Sequence, residues 1–232
     1  MLNDVIETAS RLSDSVIVSF SGGRDSVVVL DLCRRFFKTV HVFFMYQVAG
    51  LEFQERVIRH YESRFGFPVL RVPDSCLSGM FRYGYFRAPD DDCPIVLQAD
   101  VEAYVRSVTG ADWIASGEKI KDSIWRRAMI KKSGSIDYAR RRVYPLAYWS
   151  RKQVDAYVRM NRLPVANEAK FTKRGSSFSD FSPYSMAMVK QYYPKDYETI
   201  KRWFPFIEAS VKKYEIHKTK NCAGSADKVS DV

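Results

Sequence analysis

Cysteine and histidine are scarce in this chain, and no hydrophobic run is long enough to cross a bilayer. The four cysteines, Cys33, Cys76, Cys93 and Cys222, stand far apart, with no Cys-x-x-Cys and no adjacent pair. That spacing argues against a disulfide-stapled scaffold and against a structural zinc finger. The three histidines, His41, His60 and His217, share no helical spacing, so a His/Cys metal centre has little support. No stretch approaches the roughly 18–20 apolar residues of a membrane span, and Met1 to Glu7 have neither the basic nor the apolar region of a signal peptide. The expectation is a cytoplasmic protein with no membrane partner.

What is present belongs to a globular α/β protein. The 232 residues are 46% hydrophobic, enough to bury the core of one domain with a small appendage. The net charge is +10, and the cations cluster at Lys119, Lys121, Arg126, Arg127, Lys131 and Lys132, again at Arg140-Arg141-Arg142, and again at Lys170, Lys173 and Arg174. Nucleic acid is one partner that suits such clusters. The other reading assigns some of these charges to a nucleotide's phosphates and the rest to a solvated face.

Hydrophobic patterning orders the elements. Asn3 to Leu12 reads as a short amphipathic helix, and the apolar run Val16 to Phe20 as a first strand. A helix over 25–37, a strand over 40–45, a helix over 52–64 and a strand over 67–72 follow. Pro73 to Asp92 reads as a loop, then come a helix over 96–109, a short strand at 112–117 and another strand or extended passage over 136–145. Ser150 caps a further helix, Ala166 to Ser182 reads as a ligand-ordered loop, and Pro183 to Lys213 as two helical segments before a frayed tail. The β-α-β-α-β alternation predicts right-handed crossovers and a doubly wound, mostly parallel sheet with helices on both faces, plus a small helical C-terminal region. The expected division is 1–165 for a nucleotide-binding α/β domain and 166–232 for the loop, helices and tail.

The most informative residues are Ser21-Gly22-Gly23-Arg24-Asp25-Ser26, which join the first strand to the helix beginning Val27-Val28-Val29. A Gly-Gly turn folds tightly and aims backbone amides at one point, and the helix behind it adds free N–H groups and the positive end of its dipole. Such a nest binds phosphate or pyrophosphate. Ser21 and Ser26 can add hydroxyl hydrogen bonds, and Asp25 can cap the helix or hold a Mg²⁺ that bridges the anion. The stretch fits neither Walker A nor the three-glycine dinucleotide fingerprint. It resembles the SGGxDS signature of the pyrophosphate-loop family of adenine-nucleotide enzymes, in which this loop holds the pyrophosphate or terminal phosphate group.

Further segments resemble one branch of that family, the phosphoadenosine phosphosulfate (PAPS) reductases and their relatives. Gly50-Leu51-Glu52-Phe53-Gln54-Glu55 is similar to the family's Gly-x-x-Phe-Pro-Glu-Thr, with Val48-Ala49 where Asp-Thr is usual. Glu52 and Glu55 also read simply as acidic residues at a helix N-terminus. Gly117-Glu118-Lys119-Ile120-Lys121-Asp122-Ser123-Ile124-Trp125-Arg126 resembles Gly-x-Arg-x-x-x-Ser-x-x-Arg, with Gly117, Ser123 and Arg126 in register and Lys119 in place of arginine. Lysine there keeps the charge and loses the bidentate fork. Tyr144-Pro145-Leu146 through Trp149-Ser150, Val154 and Tyr157 is similar to a third, mainly structural segment of the family.

The resemblance implies an adenine nucleotide alpha hydrolase-like (HUP) fold and a site drawn from Ser19, Ser21 to Ser26, Gly50, Glu52, Gly117, Lys119, Ser123 and Arg126. Within it Asp25, Lys119 and Arg126 are the expected catalytic groups and Asp25 the expected Mg²⁺ ligand. The implied ligands are ATP or PAPS. Cleavage of the α-β bond of ATP to adenylate an acceptor, in nucleic-acid modification or sulfur transfer, is the leading expectation. The alternative is a thioredoxin-dependent PAPS reductase with Cys222 as nucleophile, its thiol acidified by Lys218 and Lys220. Against it, Lys220-Asn221-Cys222-Ala223-Gly224 stands where such reductases carry Glu-Cys-Gly-x-His. A third expectation is a non-catalytic nucleotide-binding regulator that binds DNA. A partner protein and a homodimer are left open. Where the iron–sulfur-binding relatives carry a Cys-Cys pair and a distant Cys-x-x-Cys, this sequence has only Cys93 and, around Ser176 to Asp180, no cysteine, so the resemblance leads to the expectation that no iron–sulfur cluster is present.

Overall fold

The computed structural model describes residues 4–166 and 181–216. Strand β1 (Ser15–Ser19) forms where β-branched Val16, Ile17 and Val18 run together, and all three are fully buried. A strand with both faces covered belongs at the centre of a parallel sheet. β1 pairs in parallel with β2 (Thr39–Tyr46) on one side and β4 (Ile114–Ala115) on the other. β3 (Val69–Pro73) pairs in parallel with β2, and β6 (Arg142–Val143) in parallel with β4. Only β5 (Ile136–Asp137), at the edge beside β6, runs antiparallel. The order β3-β2-β1-β4-β6-β5 is that of a doubly wound α/β sheet, as the sequence pattern predicts.

The two faces of the sheet separate by alternation along the strands. Val16, Val18, Val42, Phe44, Ala115 and Val143 face one core, shared with α1 (Asp4–Ser10), α2 (Arg24–Phe36), α3 (Glu52–Phe65) and α7 (Arg151–Met160). Ile17, Phe43, Val72 and Ile114 face the other, covered by Val101 and Val105 of α5 (Gln98–Thr109). A further apolar cluster joins Val48, Leu51 and Phe53 to Phe181, to Met186 and Val189 of α8 (Pro183–Tyr192) and to Tyr197 and Ile200 of α9 (Pro194–Trp203).

Three expectations about elements are corrected. The predicted loop over 73–92 contains α4 (Ser75–Arg82), whose N-terminus is capped by Asp74 Oδ1 accepting from Cys76 N at 2.9 Å. A Ser- and Gly-containing stretch of that length is a poor helix alone, and burial of Leu77 against the C-terminal cluster supplies the tertiary support. The extended passage over 136–145 is two short strands joined by a turn, where Asp137 Oδ1 accepts from Arg140 N at 3.0 Å. The C-terminal region carries three helical segments rather than two, the last over 208–216. The predicted loop at 166–182 and the tail lie almost wholly outside the described residues.

Candidate active site

β1 and β4 are neighbours, yet the chain leaves β1 toward β2 and reaches β4 only after α5, so the strand order reverses between them. In open α/β sheets the carboxyl ends of strands at such a reversal frame the ligand crevice. Ser19 closes β1 on this edge, and Phe20 N donates to Phe43 O of β2 at 2.9 Å as the chain turns into the glycine loop.

The loop is held by its own hydroxyls. Ser26 Oγ donates to Gly23 O at 2.9 Å and accepts from Ser21 N and Ser21 Oγ, each at 3.1 Å, while Gly23 N donates to Ser21 Oγ at 3.4 Å. Both serines therefore shape the loop from within. Gly22 takes φ 71°, and a Cβ there would meet Val57 Cγ1 of α3 at 3.2 Å, so the left-handed turn and the packing both call for glycine. Ala166 N donates to Gly22 O at 3.1 Å, which fastens the turn from the far end of the domain. Gly23 occupies the N-cap of α2 and supplies no side-chain cap. The first-turn amides of α2 have no carbonyl one turn back, so the helix start presents backbone donors of the kind that can cradle an anion.

β4 brings the second half of the site against this cradle. A Cβ on Gly117 would stand 2.9 Å from Asp25 Cβ and 3.3 Å from Asp25 C, so the end of β4 touches the start of α2 backbone to backbone. Two residues on, Lys119 is only 6% exposed, and its Nζ lies 2.5 Å from Asp25 Oδ2 and 3.3 Å from Asp122 Oδ1. Asp122 Oδ2 in turn accepts from Lys119 N at 2.9 Å and pairs with Arg126 Nη1 at 3.4 Å. Asp25, Lys119, Asp122 and Arg126 thus form one chain of alternating charge from the glycine loop to α6 (Ile124–Ser133), whose N-cap Ser123 accepts from Arg126 N at 3.1 Å. Ser123 is a helix cap here, and the Arg126 side chain is half exposed. Among the described residues no group of three or more His, Cys, Asp and Glu is arranged to hold a metal, so Asp25 is the sole protein carboxylate in the loop itself.

The remaining predicted residues sit differently. Arg24 Nη1 reaches Asp155 Oδ1 of α7 at 3.3 Å, which turns the guanidinium toward that helix. Gly50 makes the turn into α3, and Glu52 pairs with Arg59 Nη2 at 2.5 Å on the surface, where the guanidinium keeps its carboxyl below the usual carboxylate range. The first amides of α3 are taken: Asp196 of α9, 5% exposed, accepts from Glu52 N at 2.9 Å and Phe53 N at 3.1 Å. An internal carboxylate thus fills the anion position of this second helix N-terminus. Asp196→Ala is expected to destabilise the fold by about 1–3 kcal/mol, because it strands one buried and one part-buried donor, with Asp196→Asn losing less. Urea unfolding measures both, and an alanine variant of unchanged stability would refute the capping role.

Asp122 is visible from sequence as the i+3 partner of Lys119, but Asp155, Ala166 and Asp196 reach their partners across the fold and leave no local signal. Tyr157, in the third family-like segment, packs edge-on against Trp149 at 5.7 Å and donates its hydroxyl to Asp31 Oδ2 at 2.7 Å. Burial first, then the Asp31 carboxylate, pushes its phenol pKa up. Cys222 lies outside the described residues.

The family model for the phosphoadenosine phosphosulfate reductase domain matches residues 15–167. No curated protein matches the chain. Among solved structures, phosphoadenylyl-sulfate (PAPS) reductase from Candida auris, in a phosphate complex, superposes with TM-score 0.53 at 14% identity, covering 77% of this chain and 89% of that one. NH3-dependent NAD synthetase from Campylobacter jejuni, in complex with nitrate, gives TM-score 0.46 at 14% identity over 92% of both chains. The U34-tRNA thiolase NcsA from Methanococcus maripaludis gives TM-score 0.45 at 14% identity over 87% of this chain and 77% of that one. NcsA is described with its [4Fe-4S] cluster, which corrects the expectation, drawn from the missing cysteine pairs of the iron–sulfur-binding relatives, that no iron–sulfur cluster accompanies this chain. That exclusion is withdrawn. The matched span runs from the first residue of β1 past the end of α7 and takes in the glycine loop, Gly117 and Lys119, and on that ground the chain belongs to the phosphoadenosine phosphosulfate reductase domain family, within the pyrophosphate-loop superfamily.

Proposed function

We propose that the protein is an adenylating enzyme that binds ATP at the Ser21–Ser26 loop and transfers its adenylyl group to an acceptor. The observation that carries this reading is the contact of Lys119 Nζ with Asp25 Oδ2 at 2.5 Å, which sets a buried cation beside an open helix N-terminus at the carboxyl edge of the sheet. The first-turn amides of α2 cradle the β- and γ-phosphates. An acceptor nucleophile attacks the α-phosphorus, a P–O bond forms, and the bond to the bridging α-β oxygen breaks with its electron pair leaving on pyrophosphate. The acceptor's proton passes to solvent. Negative charge grows on the leaving pyrophosphate, and Lys119, with Arg126 further out, offsets it without reorganising. The second oxygen of Asp25 is available to a cation carried in by the nucleotide.

ATP is preferred over PAPS because the chain lacks the Glu-Cys-Gly-x-His tail of thioredoxin-dependent reductases and has Lys220 to Gly224 in its place. Calorimetric titration with ATP, PAPS and adenosine 3′,5′-bisphosphate, run beside a pyrophosphate-release assay, tests the reading. ATP binding with pyrophosphate release is the expected result. Preference for PAPS, with sulfite release that depends on Cys222, replaces it with sulfate reduction. ATP binding without turnover under any acceptor replaces it with a nucleotide sensor.

A further inference from the structure

α6 is the most solvent-exposed helix bordering the site, and its surface chemistry is unusual. Its sequence, Ile-Trp-Arg-Arg-Ala-Met-Ile-Lys-Lys-Ser, contains four cations and no carboxylate. Ile130 is its one buried residue, while Ile124 is 83% and Trp125 86% exposed. A tryptophan left almost wholly in water on a soluble domain is informative in a way that a scattered exposed leucine is not.

The cations of α6 contrast with the arginine run at 140–142. Arg140, Arg141 and Arg142 are spent internally, on Asp137, Asp112, and Glu102 with Glu118. Among the described residues Lys121, Arg127, Lys131 and Lys132 form no ion pair. Trp125, Met129 and Lys132 fall at i, i+4 and i+7, so they line one stripe of the helix. The stripe runs into an open recess of about 550 Å³ lined by Met129, Lys132, Asp137, Tyr138 and Arg140. Tyr138 is 63% exposed, and the Asp137 carboxylate in the recess is covered by the Arg140 guanidinium at 2.6 Å. Two exposed aromatic rings therefore stand at the ends of a stripe that carries Lys132, and the Trp125 end of that stripe is the residue next to Arg126.

We propose that this stripe docks single-stranded nucleic acid, with Trp125 and Tyr138 as stacking platforms and Lys132, flanked by Lys131, on the phosphates. Unsequenced strands are held by this pairing of cationic groove and aromatic rings, because every base offers a π-face and every nucleotide a charge. A second copy of the chain is disfavoured as the occupant, since a two-fold interface would set four cations of α6 against the same four. The inference rests on the adenylation reading for its chemistry and names the class of its acceptor, whereas the binding surface stands on its own geometry.

The test is fluorescence anisotropy with fluorescein-labelled oligoribonucleotide and oligodeoxyribonucleotide single strands of about a dozen nucleotides, and their duplexes, between about 50 and 200 mM salt. Single strands are expected to bind more tightly than duplexes, and the two sugars tell RNA from DNA. Trp125→Ala is expected to weaken binding by roughly 5- to 150-fold, the loss of one stacked base. The Lys131→Ala/Lys132→Ala pair is expected to flatten the log–log salt slope by about 1.4. Because Trp125 packs against so little, its variant keeps the wild-type melting temperature, and its ATP titration is unchanged. Wild-type affinity in Trp125→Ala, absence of oligonucleotide binding, capture of an acidic peptide instead, or a change confined to sedimentation each overturns the docking proposal. ATP binding and pyrophosphate release without oligonucleotide binding overturn this proposal and leave the adenylation reading standing. Oligonucleotide binding without any ATP binding does the reverse.

Discussion

Lys119→Met is expected to lower the rate of pyrophosphate release by roughly two to three orders of magnitude, the usual cost of removing one preorganised group aimed at developing charge. The methionine keeps most of the stem's packing, so the loss isolates the ammonium. In the native arrangement that ammonium sits between Asp25 at 2.5 Å and Asp122 at 3.3 Å. Without it, two carboxylates face the entering phosphates with no cation between them, and affinity for ATP falls along with turnover. Lys119→Arg restores the charge and supplies the guanidinium that the family's motif carries at this register, so it recovers most of the activity. A purely structural role for Lys119 predicts another pattern: a lower melting temperature, turnover near wild type in the folded fraction, and no rescue by arginine. Steady-state kcat and KM on the three proteins, beside their thermal melts, decide between the two.

The elements that build the cradle were legible because their signals are local. β1 is a short β-branched run, the glycine loop follows it after Phe20 alone, and α2 begins on the residue after Gly23. Gly117 and Lys119 stood out through the resemblance of 117–126 to the family's segment, and the fold sets them beside the glycine loop. What the sequence could not carry is which of several similar signals reaches the site. Gly50 and Glu52 look as much like a ligand loop as Gly117 and Lys119 do. The difference lies 144 residues further on, where the Asp196 carboxylate closes the start of α3 from another helix. Long-range capping of this kind has no local periodicity, and nothing near Glu52 announces it.

Charge told a similar story. The run Arg140-Arg141-Arg142 and the cations of α6 read alike as basic clusters. In the fold the first is consumed by Glu102, Glu118, Asp112 and Asp137, because β6 lies beside β4 and opposite α5 and meets their acids. α6 meets none beyond Asp122. A net charge of +10 is therefore less informative than where each cation finds a carboxylate, and Arg127, Lys131 and Lys132, which find none, stand on the helix that begins seven residues after Gly117.

The close approach of β4 to α2 makes Gly117→Ala the second large effect. The added methyl would lie 2.9 Å from Asp25 Cβ and 3.3 Å from Asp25 C, and neither atom is the end of a flexible side chain. One backbone must move. The cheaper movement is at the end of β4, which is only two residues long, rather than at α2, whose Val27, Val28, Val29 and Leu30 are fully buried. Overpacking of this size costs about 1–3 kcal/mol of stability. The functional cost is larger, because retreat of β4 carries Lys119 away from Asp25 and opens the anion cradle on one side. ATP affinity is expected to fall at least tenfold, equivalent to about 1.4 kcal/mol, in a protein that still unfolds cooperatively. Calorimetric titration with ATP, read beside a urea melt, checks both quantities. Undiminished ATP affinity in a destabilised Gly117→Ala protein would mean that β4 contributes packing alone, and that the nucleotide is held by the glycine loop and α2 without Lys119.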